Sequence, residues 1–137
     1  MAKVDMKIDL NVAADEVWKL IGGFNTLPDW HPAIEKSELE EEGSMRRLSL
    51  AGGGTIVEKL ERLDDSERVY TYSIVDSPLP VANYTATICV KDNSEGKTTV
   101  EWSSEFEAKG AGENEAIDII ADIYQAGFDN LKKMFGG

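Results

Sequence analysis

The chain has one cysteine, Cys89, and one histidine, His31, in 137 residues. A lone cysteine closes no intrachain disulfide, and one histidine with one cysteine cannot make a zinc site of the usual four-ligand kind. Basic residues are scarce: 14 Lys and Arg stand against 26 Asp and Glu, a net charge of −12 with a pI near 4.4. A phosphate backbone is repelled by that charge, so nucleic acid is not expected as a partner, and an anionic membrane surface is disfavoured for the same reason. No apolar run approaches the length of a membrane span, so no stable membrane insertion is expected. The opening Met1-Ala2-Lys3-Val4-Asp5 lacks the apolar core of a signal peptide, and a reducing cytoplasm is the expected address. Also missing are a Gly-x-Ser-x-Gly elbow and a dinucleotide fingerprint, and Gly52-Gly53-Gly54 lacks the Lys-Ser/Thr of a phosphate loop. Neither a metal nor a cofactor is expected.

What the chain does have is an ordered set of patterns. Its length and 42% hydrophobic content fit one globular domain over residues 1–137 with a sizeable core. Val4, Met6, Ile8 and Leu10 alternate with polar residues, the mark of a half-buried antiparallel strand. A short helix over 13–21 follows, ended by Gly22-Gly23, and then a helical turn from Leu27 stopped by Pro32. Strands are predicted over 34–42, 45–50, 55–63, 68–75, 81–90 and 98–108. The turns between them lie at Gly43-Ser44, Gly52-Gly53-Gly54, Asp64-Asp65-Ser66, Asp76-Ser77-Pro78-Leu79-Pro80 and residues 92–96. Residues 113–135 read as one helix about 35 Å long. It carries Ile117, Ile120, Ala121, Tyr124, Phe128, Leu131 and Phe135 on one stripe. An α+β fold follows: a sheet with one apolar face and a long apolar helix cover each other.

Candidate chemistry is sparse. His31, between Trp30 and Pro32, is either a polar anchor or acid/base titrating near neutrality, or a partly exposed loop residue. Glu58 lies between Ile56 and Leu60. It faces the interior in one register, with a raised pKa, and faces water in the register that turns Val57 inward. One of Arg46 and Arg47 points to the concave face, where it could pair with Glu58 or an anionic ligand, although a surface position is the expected role. Tyr72, Tyr84, Trp102, Phe106, Tyr124 and Phe128 line a pocket or fill the core, and small Ala86, Ser104 and Gly127 favour the pocket. Cys89, between Ile88 and Val90, reads as a half-buried structural thiol.

The order and spacing of five stretches carry a resemblance. They are Ala14-Asp15-Glu16-Val17-Trp18, Trp30-His31-Pro32, Gly54-Thr55-Ile56-Val57-Glu58-Lys59-Leu60, Tyr70-Thr71-Tyr72-Ser73-Ile74 and Pro78-Leu79-Pro80-Val81-Ala82-Asn83-Tyr84. Over nearly its whole length the chain resembles the START/Bet v 1-like helix-grip superfamily, in its SRPBCC polyketide cyclase/dehydrase-like branch. The resemblance implies a seven-stranded curved antiparallel sheet wrapped around a C-terminal helix, two short helices after strand 1, and a hydrophobic pocket whose mouth is two loops. A more distant likeness is to the plant abscisic acid receptors, on which residues 58–84 can be laid without a gap. It implies pocket positions for Glu58, Tyr72, Ile74, Leu79, Val81, Tyr84 and Ala86, and puts His31 where those receptors carry a lysine that meets the ligand's carboxylate. The gate sequence of the receptors is replaced by Leu50-Ala51-Gly52-Gly53-Gly54 and the latch by Leu79-Pro80-Val81. Hormone binding and a phosphatase partner therefore do not carry over; the pocket geometry does.

The expected function is a carrier or sensor of a hydrophobic or aromatic small molecule. Trp30, His31, Glu58, Tyr72, Ile74, Leu79, Val81, Tyr84, Ala86, Trp102, Ser104, Ile120, Ile123, Tyr124 and Gly127 are its candidate ligand-binding residues. One alternative is an aromatase/cyclase- or dehydratase-type enzyme in which His31 or Glu58 moves protons. The other is a chaperone-regulator-like interaction domain, which calls for a large exposed apolar patch. The sequence sets no oligomeric state.

Overall fold

The computed structural model describes residues 2–93 and 96–136. Ser94 and Glu95 of the turn expected over 92–96 lie outside the described residues. Strand β1 (Ala2–Leu10) is followed by helices α1 (Ala14–Ile21) and α2 (Leu27–Trp30). Strands β2 (Ile34–Glu40), β3 (Met45–Leu50), β4 (Thr55–Asp64), β5 (Val69–Asp76), β6 (Val81–Asp92) and β7 (Thr98–Ala108) come next, and helix α3 (Glu113–Phe135) closes the chain. The strands form one antiparallel sheet in the order β1-β7-β6-β5-β4-β3-β2. This is the helix-grip α+β fold.

Period-two burial builds the sheet. In β7, Val100, Trp102, Ser104 and Phe106 face in, while Glu101, Ser103, Glu105 and Glu107 face out. Register shifts between Ile34 and Lys36, Val57 and Glu58, Leu60 and Arg62, and Ala82 and Thr85 interrupt the ladders. Such bulges bend strands, and they give the sheet a concave face. Helix α3 crosses that face, packing on β1, β7 and α2. It buries Ala116, Ile120, Tyr124, Gly127, Phe128 and Leu131, a stripe of three- and four-residue steps. Glu113 and Glu115 in its first turn and Lys132 and Lys133 in its last complement the helix dipole.

Helix α1 turns Ala14, Val17 and Ile21 inward. Packing requires the glycine at its C-cap, Gly22. Gly22 has an ordinary helical φ of −70°, but a Cβ there would lie 2.4 Å from the Trp18 ring. Pro28, at the second position of α2, lacks an N–H where the first turn needs none, and the turn ends at His31. That turn sets Trp30 and His31 side by side against α3.

Candidate functional site

Between the concave face and α3 lies a cavity of about 40 Å³. That is room for one or a few water molecules, and far below the roughly 150 Å³ that accepts a benzene-sized guest. Among the expected residues, His31, Glu58, Tyr72, Ile74 and Leu79 line it, as do Tyr84, Trp102, Ile120, Ile123 and Tyr124. Leu27, Ile34, Leu48 and Ile56 complete the wall and were missed. Leu48 and Ile56 were legible as inward positions of alternating strands; Leu27 and Ile34 were not, because only the α2 corner brings them over the cavity.

Five expected residues stand apart from the cavity wall. Trp30 is fully buried behind His31, with its ring 5.6 Å from that of Trp102. Ala86 and Ser104 sit side by side on β6 and β7 within the packed sheet face. Val81 borders an open groove beside Asn83 and Lys109 at the β5–β6 end. The space at Gly127 is occupied: a Cβ there would meet His31 Cδ2 at 2.9 Å and Trp30 Cζ3 at 3.0 Å. Its missing side chain admits two rings of the protein itself.

His31 is 1% exposed, so the exposed-loop reading fails. Its Nε2 lies 2.7 Å from the Ile123 carbonyl, which only accepts, so Nε2–H is the donor. Its Nδ1 accepts the Ala33 backbone N–H at 3.1 Å. Both nitrogens are thus spent on backbone, and the ring is the neutral tautomer. Burial pushes its pKa down, opposed by the Ile123 bond.

Arg46 overturns the expectation of a surface arginine. It is 1% exposed, while Arg47 takes the outward position and pairs with Glu40 at 2.8 Å. Arg46 Nε and Nη2 donate to Glu58 Oε1 at 2.8 and 2.6 Å, and Nη1 donates to the Phe24 carbonyl at 2.7 Å. The guanidinium lies over the Phe24 ring, 4.3 Å from its centroid. Arg46 and Glu58 are direct cross-strand partners on β3 and β4, a pairing that strand register creates. Glu58 faces the interior, and Val57 is also buried, opposite Arg47 on the other face. Burial pushes the Glu58 carboxyl up and Arg46 opposes that shift. Burial likewise disfavours the Arg46 charge, but Glu58 and the neighbouring phenols outweigh it, and its pKa rises. The pair stays charged, since neutralising Glu58 would strand a buried guanidinium.

The third polar feature is a row of phenols. Trp102 Nε1–H donates to Tyr72 Oη at 3.0 Å, Tyr72 and Tyr84 share a hydrogen bond at 3.2 Å, and Tyr84 bonds Tyr124. Trp102 and Tyr124 stack 4.0 Å apart at 13°. Burial raises all three phenol pKa values, so the hydroxyls are neutral. Two loops meet at the β5 end of the cavity: a Cβ on Gly54 would lie 3.7 Å from Pro78, next to Leu79 of the wall. Among the described residues no group of His, Cys, Asp and Glu is placed to hold a metal, and no helix is long and apolar enough to cross a membrane.

Residues 1–136 match the sequence profile of the family described as polyketide cyclase/dehydrase and lipid transport. The chain belongs to this family. Its similarity extends to solved structures. The protein XoxI from Bacillus cereus is 43% identical, with a TM-score of 0.96 over 98% of this chain and 96% of that one. An uncharacterised Bacillus thuringiensis protein is also 43% identical, with a TM-score of 0.95 over 98% of both chains. A START superfamily protein from Mycobacterium smegmatis, at 12% identity and a TM-score of 0.81 over 98% and 97% of the two chains, shares the fold alone. No functionally curated protein matches. Membership of the polyketide cyclase/dehydrase and lipid transport family supports a ligand-binding domain.

Proposed function

We infer that the protein binds a small apolar or aromatic molecule between the sheet and α3, as a carrier or sensor. The observation that carries this reading is the cavity wall: aliphatic and aromatic side chains make most of it, and His31, Glu58 and the tyrosine hydroxyls interrupt it. The cavity measures about 40 Å³. A ring-sized ligand requires the wall to move outward, and the Gly52–Gly54 loop is the segment built for movement. All three of its glycines have positive φ, +90°, +104° and +102°, and no side chain anchors the tip.

An enzymatic role finds less support. The two candidate acid/base groups are both committed: His31 to two backbone groups and Glu58 Oε1 to Arg46. An interaction-domain role finds less again, because the exposed large apolar residues Leu39, Leu63, Val75 and Met134 come from four different elements.

Native mass spectrometry of freshly purified protein, followed by denaturing extraction, tests the reading. A retained mass of small-molecule size is expected. A clean apo mass that stays unshifted after incubation with a hydrophobic metabolite extract overturns it.

A further inference from the structure

If the cavity binds a small molecule, as inferred above, the polar groups around it restrict which kind. His31 has no free nitrogen, since Ile123 and Ala33 hold both. Arg46 is equally occupied: Nε and Nη2 sit on Glu58 Oε1, Nη1 sits on the Phe24 carbonyl, and the Phe24 ring covers its face. Among the described residues, no Lys or Arg lines the cavity. An incoming anion would find no cation to offset its desolvation.

Glu58 Oε2 is different. Both bonds that Glu58 accepts from Arg46 go to Oε1. Glu58 lines the cavity and its side chain keeps 7% of its surface accessible, so the carboxylate reaches the open space. Held ionised by Arg46, Oε2 is an acceptor only, and a charged acceptor in a low-dielectric site is a strong one.

We propose that the cavity selects an uncharged, ring-sized molecule that donates one hydrogen bond, from a hydroxyl or amine, to Glu58 Oε2, and that it rejects carboxylates, fatty acids included. The rejection has two sources. A ligand carboxylate meets the like charge of Glu58 across a poorly screened interior, and it loses its hydration without gaining a counter-ion. The selection has one: a hydrogen bond to a charged group outweighs one between neutral partners.

Three probes of one shape separate these terms: toluene, benzyl alcohol and benzoate, titrated at pH 7 into 15N-labelled protein. The Trp102 indole N–H reports on the cavity, because it donates to Tyr72 in the wall. The Trp18 indole, bonded to Asp65 on the surface, is the control. Benzyl alcohol is expected to bind at least about tenfold more tightly than benzoate and several-fold more tightly than toluene. In the double variant Arg46→Met/Glu58→Gln, which removes both charges together, discrimination against benzoate is expected to shrink several-fold, because the like charge is gone and only the desolvation penalty remains. Benzoate binding as tightly as benzyl alcohol, or undiminished discrimination in the double variant, overturns the proposal and leaves cavity binding intact. Failure of all three probes to move Trp102 overturns the binding reading itself, and this proposal with it. The wild-type ranking decides alone, so a double variant that does not fold leaves the test in force.

Discussion

Gly127 lets the α2 corner pack directly against α3. Two rings fill the place of its side chain, at 2.9 and 3.0 Å from where a Cβ would stand, and both rings belong to fully buried residues that have nowhere to go. Gly127→Ala gains roughly 1 kcal/mol of helix propensity and overpacks a closed site at a cost of about 1–3 kcal/mol. The expected result is a lower urea midpoint at unchanged m-value. For the Arg46–Glu58 pair, either single change leaves a buried charge or donor without its partner. Glu58→Ala is expected to cost about 3–5 kcal/mol in denaturant titrations, and the double variant Arg46→Met/Glu58→Gln much less than the sum of its singles. A loss of activity in Glu58→Ala would for this reason say nothing about catalysis.

His31 makes a pH prediction at the same scale. Its pKa is lowered by burial, so the unfolded chain takes up a proton at a pH where the folded chain does not. Stability is therefore full above the unfolded value near 6.5 and is lost as pH falls through it, until the folded pKa is reached. Denaturation series across that range are expected to show this loss in the wild type. It should be absent from the same series on His31→Asn; an identical pH dependence in the two would mean the ring charges freely in the fold.

At the scale of elements, the β3–β4 hairpin is the segment that the proposed binding would require to move. Its Gly52–Gly54 turn holds three consecutive positive φ angles and lies against Pro78 of the β5–β6 loop. Replacing all three glycines with alanine puts side chains into a backbone region that disfavours them, by about 1 kcal/mol each. The expected outcome is slower ligand uptake and a shifted loop conformation, read by stopped-flow fluorescence of Trp102, with the sheet core unchanged. Helix α3 behaves differently, because Phe128 and Leu131 are fully buried. Phe128→Ala is expected to cost about 3–5 kcal/mol by thermal or chemical denaturation.

For the whole molecule, the net charge of −12 sets an electrostatic background. The surface ion pairs, such as Lys3–Glu105 and Lys91–Glu101, are exposed and weak, so self-repulsion exceeds them. Screening it shortens the reach of each charge to about 8 Å at physiological ionic strength. The melting temperature is expected to rise as salt is added from low ionic strength; a falling one would mean that attractive pairs dominate.

The element order and the composition of the sheet's inner face were readable in the chain because they depend on period. Alternation in β1 and β7 and the stripe of α3 are local properties, and α3 begins and ends where its pattern does. Ten of the fifteen candidate site residues reached the cavity wall, and eight of them did so for the same reason: inward-facing strand positions (Glu58, Tyr72, Ile74, Tyr84 and Trp102) and helix-stripe positions on α3 (Ile120, Ile123 and Tyr124) converge on one space. What the sequence left open was everything set by contact between distant segments. Register alone put Arg46 opposite Glu58, and so turned an expected surface charge into a buried pair. The fold of the α2 corner alone spent both nitrogens of His31 on backbone groups and filled the space at Gly127 with rings. Hydrogen bonds and close packing are satisfied over a few ångströms in space, between residues as far apart in sequence as His31 and Ile123, and no local pattern encodes which of those partners will meet.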